Sequence, residues 1–218
     1  MNEAASTKTI TRTLRGLNRR GWTPASLGQV LRRHHEIIHP GDRTEGAARF
    51  VGLEHIEPHT GRRIGEGHIE LATMTGRKPT FRIGQIVYGY LRPYLNKVWI
   101  AEFDGCSSVD QFAFAVNADL ADTMFVAAFM RSELFLERAK GATTPGQLPR
   151  ISIEEIEAVT IELPRTLAEQ RHIASEVAQQ LSIAASLHVR CREQLAAVEA
   201  LPASILRAAF GSPTREGE

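Results

Sequence analysis

His35-Glu36-Ile37-Ile38-His39 matches the H-E-x-x-H pattern, in which two histidines one helical turn apart bind zinc and the glutamate beside them activates water. That chemistry needs both imidazoles on one helical face. Pro40 follows directly, and a residue before proline is pushed out of the α region, so His39 is expected to leave the helix. A third ligand would have to come from a residue such as Glu54 or Glu57, and no Met-turn accompanies the motif. A zinc hydrolase is therefore the weaker reading. The sequence also lacks a G-x-x-x-x-G-K-[ST] phosphate loop, a G-x-S-x-G elbow, a Cys/His thiol-hydrolase signature and an Asn-Pro-Pro-aromatic tetrapeptide for holding a flipped base. A protein that directs the chemistry of others fits these residues better than an enzyme.

The segment GRKPTFRIGQIVYGYLRPYLNKV gathers Arg77, Lys78, Arg82, Arg92 and Lys97 with Tyr88, Tyr90 and Tyr94, the three tyrosines of the chain. Cations on phosphates give a DNA-binding protein affinity and register, Arg, Asn and Gln read base edges, and tyrosines bond phosphates or pack on sugars. A strand whose aromatics face a core would have the same composition. The charge distribution favours a polyanion: residues 1–100 hold 16 Lys/Arg against 8 Asp/Glu, and the remainder holds 10 against 17.

Elements that would position these groups follow from the pattern. Residues 1–21 are basic and poor in large apolar groups, which predicts a mobile arm or a short helix that orders on contact. Thr23-Pro24 reads as an N-cap and first helical residue, opening a helix through Leu27, Val30 and Leu31. Short β-prone runs follow from Ala47 to about Val116 (ARFVGLEHI, HIELAT, GQIVYGYL, KVWIAEF, CSSVDQFAFAV), spaced too closely for crossover helices. They predict one irregular sheet in an α+β domain. A helix is expected from Asp119 to about Lys140, closed by Gly141, and the Ser152–Glu155 and Thr166–Glu169 spacings are capping boxes. Between the boxes, Val159–Leu163 should be a strand.

From Thr166 to Ala200 there is neither Gly nor Pro, which predicts a rod of roughly 50 Å. Its apolar positions, Ile173, Val177, Leu181, Ala184, Leu187, Cys191, Leu195, Val198 and Leu201, advance in steps of 4 and 3 that average 3.5. That period holds to one side of a helix that wraps a partner, and it marks a coiled-coil dimer seam. The alternative is a long helix lying on its own domain. A domain of about 150 residues is only about 30 Å across, so the rod should protrude.

At 218 residues, with net charge +1 and 43% hydrophobic, 23% charged and 6% aromatic residues, the composition is that of a globular protein and excludes disorder and collagen-like repeats. Cys106 and Cys191 are too few for a disulfide framework or zinc ribbon and read as two reduced thiols. No apolar run approaches the ~18 residues of a membrane span, and the first residues lack the apolar centre of a secretory signal. A cytoplasmic location is expected.

GQIVYGYLRPYLNKVWIAEFDGCSS resembles the signature of the target recognition domain of type I restriction-modification specificity (S) subunits. Further motifs follow in order: Trp22 to Leu27-Gly28 resembles the opening Trp…Leu-Gly, and Gly141 to Ile151 the Gly-x-Thr…Arg-Ile loop. Ile161-Glu162-Leu163-Pro164 with Glu169-Gln170-Arg171-His172-Ile173 resembles the Pro…Glu-Gln-x-x-Ile entry into the family's long helix, and Ala208-Ala209-Phe210-Gly211 its closing Ala-Phe-x-Gly. The resemblance covers about residues 22–211 and implies a recognition domain at 22–164 and a long helix at 165–211 that serves as dimerisation element and spacer, which leaves the basic arm at 1–21 and a tail at 212–218. It further implies a subunit without catalytic residues or cofactor of its own, which places adenine-N6 methyltransferase subunits, the binders of S-adenosylmethionine, on double-stranded DNA. A restriction/translocase subunit can join such complexes.

An ordinary S subunit has two recognition domains and two long helices, and this sequence shows one of each. It looks like a half-subunit that pairs with a second one, identical or different, to read a bipartite target. The residues implied on DNA are Arg92, Tyr94, Asn96 and Lys97 from the motif, with Tyr90, Arg77, Lys78 and Arg82. Ser107, Ser108, Gln111, Thr144, Gln147 and Arg150 are second candidates that could each be structural, Arg150 by clasping Glu154. Pro93 should fix the backbone. The competing reading makes Leu91 to Lys97 a scaffold and moves base reading to the stretch from Arg43 to Thr80, with Arg49, Arg62 and Arg63. A protein-interaction adaptor that ignores DNA is the alternative function.

Overall fold

The computed structural model describes residues 3–43, 45–139 and 148–210. In chain order the elements are α1 (Glu3–Gly16), β1 (Thr23–Ser26), α2 (Leu27–Val30), β2 (Leu31–Arg33), β3 (Ile37–Ile38), β4 (Ala47–Val51), β5 (Gly67–Glu70), β6 (Lys78–Phe81), β7 (Ile86–Gly89), β8 (Val98–Ile100), β9 (Gly105–Ser107), β10 (Gln111–Val116), α3 (Thr123–Met130), α4 (Glu133–Leu136), α5 (Ile153–Ala158), β11 (Thr160–Leu163) and α6 (Leu167–Phe210). This is an α+β fold of mixed sheets followed by one long helix. The expected single sheet is three: β1-β11, β2-β10-β7-β8 and β3-β6-β9-β4-β5.

The four-stranded sheet is the middle layer, because β7 is buried along its whole length. Alternation sends Ile86, Tyr88 and Val98 to the helical side, where they join Phe125, Phe129, Phe135, Ile161, Ile173 and Val177. Val87, Trp99 and Ala113 face the other way and pack with Val51, Ile56 and Phe81 of the five-stranded side.

Several elements differ from the sequence reading, each for a local reason. The basic arm is the helix α1, with Ile10 and Leu14 buried in the main core. Its inner face is otherwise hydroxylic: Ser6, Thr7 and Thr11 are buried, and Thr11 Oγ1 accepts the Glu133 amide at 2.8 Å, at the start of α4. Thr23-Pro24 belongs to edge strand β1, where the missing proline N–H costs little. Ser26 is the true cap of α2, in a reciprocal box with Gln29. The helix expected over 119–140 begins at the Asp122 cap, ends at Met130 and restarts at Glu133. Ile37–Ile38 pairs with β6 as strand β3, so His35 and His39 flank a strand and do not stand one helical turn apart.

The Ser152 box forms as expected: Ser152 Oγ accepts the Glu155 amide at 3.2 Å and Glu155 accepts the Ser152 amide at 2.7 Å. Ser152→Ala should lower stability by about 1 kcal/mol, read by chemical denaturation. The second box is half made. Thr166 Oγ1 accepts the Glu169 amide, while the Glu169 carboxylate accepts the Trp22 indole N–H at 3.3 Å. No helix among the described residues is long and apolar enough to cross a membrane.

Candidate nucleic-acid interface

The predicted residues divide into groups with different surroundings. In Leu91–Lys97, Arg92 and Asn96 both have left-handed backbones, φ 54° and 46°, on either side of a single turn at Pro93–Leu95. Asn96 is fully enclosed and its carbonyl accepts the His59 amide at 3.1 Å, while Lys97 Nζ donates to the Leu53 carbonyl. Pro93 is buried too. Most of this motif is scaffold, which corrects the assignment of Asn96 to the DNA surface; Arg92 and Tyr94 remain exposed. Ser107 is likewise buried, in β9 beside Val51 of β4.

Arg49, Arg62 and Arg63 of the competing stretch are already engaged. Arg49 and Arg63 share the Glu66 carboxylate, which they hold below its usual pKa, chiefly through the Arg49 hydrogen bond; Arg63 also meets Glu102 at 3.0 Å. Arg62 pairs with Glu57 at 3.3 Å. Arg82 is held between Glu36 at 2.7 Å and Asp104 at 3.2 Å. Lys78 lies over the Phe50 ring.

A third group converges on Tyr90, just beyond β7. Its ring stacks on Phe112 with centroids 4.4 Å apart, and its hydroxyl donates to the Val109 carbonyl at 2.8 Å. The Arg33 guanidinium lies 4.6 Å from the Phe112 centroid. Burial and then Asp110 push the Tyr90 phenol up, while the charges of Arg150, Arg33 and Arg77 oppose them. Among the described residues, none of the three has a carboxylate at ion-pair distance. The Arg150–Glu154 clasp is therefore not formed. Arg150 is placed by its bridge to Leu91 and by the Ile151 amide, which donates to the Tyr90 carbonyl.

Gln111 opens β10 beneath Tyr90 and is 2% exposed. Its side-chain oxygen accepts from the Ser108 amide at 3.1 Å and the Ser108 hydroxyl at 2.9 Å. Of the predicted residues, the fold thus assembles Tyr90, Arg77, Gln111, Ser108 and Arg150 in one place, with Arg92 adjoining through its amide, which donates to the Pro149 carbonyl at 2.8 Å. Thr144 and Gln147 lie outside the described residues. The sequence reading missed Arg33 and His34 and weighed His35 only as a zinc ligand; all three line the same cavity as Arg77, Tyr90 and Gln111. The signal for them was the unbroken run Arg32-Arg33-His34-His35.

The predicted dimer seam also divides. Ile173 and Val177 are buried in the chain's own core, which removes them from any interface, and Leu181 and Ala184 are half-buried. Leu187, Cys191, Leu195, Val198 and Leu201 are exposed.

No family model matches the chain. The specificity subunit of the type I restriction enzyme EcoDI of Escherichia coli is 35% identical over 156 residues, which is 72% of this chain and 34% of that subunit. The HsdS subunit from Thermoanaerobacter tengcongensis superposes with a TM-score of 0.74 at 19% identity, covering 90% of this chain and 51% of that one. A chain from a study of complex assembly and conformational transition in the type I R-M system gives 0.75 at 20% identity, covering 91% and 51%. The chain spans a third to a half of the length of these relatives. Over that span, one recognition domain and one long helix, it belongs to the family of type I restriction-modification specificity subunits.

Proposed function

We propose that this chain is a DNA-binding specificity component that reads one half of a bipartite target and holds adenine-N6 methyltransferase subunits there, without catalytic residues of its own. The observation that carries the reading is that the charges of Arg33, Arg77 and Arg150 all act on Tyr90, while among the described residues none of the three has a carboxylate at ion-pair distance. Cations left unpaired beside a surface stack suit a polyanion, because counterion release drives their binding to DNA phosphates. The exposed run from Leu187 to Leu201 supplies the second part: paired with the same stretch of another half-subunit, it sets two recognition domains a fixed distance apart. Translocase/nuclease subunits can be added to such a complex.

Selection from a random duplex library in the presence of the methyltransferase should enrich one half-site, repeated in inverted orientation for identical copies. Affinity should fall steeply with salt. Arg77→Gln with Arg150→Gln should weaken binding about tenfold or more and reduce the salt slope by about two. No enrichment together with salt-independent behaviour would point to an adaptor that ignores DNA.

A further inference from the structure

Gln111 holds the most telling polar atom of the domain. Both of its oxygen's hydrogen bonds come from Ser108, one of them from a backbone N–H, which fixes the amide's orientation. The side-chain nitrogen is then the free end, and it is buried with no hydrogen-bond partner. Leaving a buried donor unmade is costly, and such groups in folded proteins point to something that completes them.

The cavity beside it is about 160 Å³, several times the roughly 30 Å³ of a liquid water, and Arg33, Arg77, His34, His35 and Tyr90 line it with Gln111. The charged groups in its lining are Arg33 and Arg77, no carboxylate is among the lining residues, and the Gln111 nitrogen adds a donor with no partner. Tyr90 has already committed its proton to Val109, and His34 is bonded to Thr80 Oγ1 at 2.9 Å. Asp110 is the carboxylate that acts on Tyr90 from nearby, against three arginines. A base edge presents donors and acceptors together and would need acceptors in return; a phosphate oxygen asks only for donors and positive charge.

We propose that this cavity is a phosphate socket for the DNA backbone, in which the Gln111 amide and the Arg33 and Arg77 guanidinium groups grip one phosphodiester and Ser108 acts as the positioning residue. The inference rests on the DNA-binding reading and assigns it a register point: the contact is sequence-independent and fixes where the duplex sits while other residues read bases.

Gln111→Glu is the decisive variant. A glutamate keeps the acceptor that Ser108 needs and places an anion of the chain's own next to Arg33 and Arg77. Melting temperature should hold or rise, while affinity for a 30-base-pair mixed-sequence duplex should fall at least tenfold. Arg33→Gln, which leaves Gln111 untouched, should lower the salt slope by about one. In the wild-type protein the Gln111 side-chain amide NMR signals should shift on adding the duplex, and far less with inorganic phosphate at equal ionic strength. Equal shifts with both would make the socket a site for free phosphate and overturn the backbone assignment. Wild-type binding that is salt-sensitive but unchanged in both variants would overturn the socket while leaving DNA binding intact. Failure of the wild-type protein to bind any duplex, even with the methyltransferase, would overturn both.

Discussion

Leu187→Asp combined with Leu195→Asp should turn the paired form of the protein into a folded monomer. Both side chains are more than half exposed, 54% and 58%, so neither is needed by the chain's own domain. Within a paired seam each aspartate would be buried without a partner, which costs several kcal/mol. About 4 kcal/mol raises the dissociation constant a thousandfold. Sedimentation should show one species at the monomer mass with an unchanged melting temperature, and a dimer that survives the double substitution refutes the seam. Val177→Asp cannot serve this purpose. Val177 is 1% exposed in the main core, so a charge there unfolds the domain itself and would give loss of pairing for the wrong reason.

Gln170→Leu should be among the most damaging substitutions of similar volume. The Gln170 side chain accepts the Asp122 amide at 2.8 Å and donates to the Leu120 carbonyl at 3.1 Å and the Pro164 carbonyl at 3.3 Å. It is 1% exposed, so leucine leaves one N–H and two carbonyls unmade in the interior. At about 1–3 kcal/mol for each unsatisfied group, partly relieved by relaxation, the loss should be about 3–5 kcal/mol. For a chain of this size that lowers the melting temperature by about 10 °C. The affected bonds join the cap of α3 to the first turns of α6, so the long helix should also become more susceptible to limited proteolysis near Leu167. A melting temperature within about 2 °C of wild type would show that these bonds do not carry the junction.

The long helix was the most legible element, because its period and its lack of Gly and Pro are properties of many residues at once. What the pattern could not show is that the same stripe changes role along its length, serving the chain's own core at Ile173 and Val177 and facing solvent from Leu187 onward. The packing of α1 was illegible for the opposite reason: its buried face is made of Ser6, Thr7 and Thr11 as much as Ile10 and Leu14, and hydroxyls bonded to neighbouring backbone look like surface in a hydropathy pattern. β2 and β3 are three and two residues long, below the length at which alternation can be recognised. At the candidate site, Tyr90, Arg77 and Gln111 could be named because they lie in or beside one basic, aromatic run. Arg33 enters from 57 residues before Tyr90 and is brought there by the antiparallel pairing of β2 with β10, a contact that no local signal encodes. Asn96 shows the converse error: a polar residue in a functional motif that belongs to the interior.

Pro202 lies inside α6. Its ring supplies no N–H for the carbonyl one turn earlier and pushes against that turn, so the helical ladder is weakest there. The exposed stripe before it, from Leu187 to Leu201, is about 21 Å long, or roughly two heptads. An overlap that short makes a grip that responds to protein concentration. The supply of the chain in the cell would then act as a dial on how many complete readers assemble, and a scarce half-subunit would leave its enzymes unaddressed.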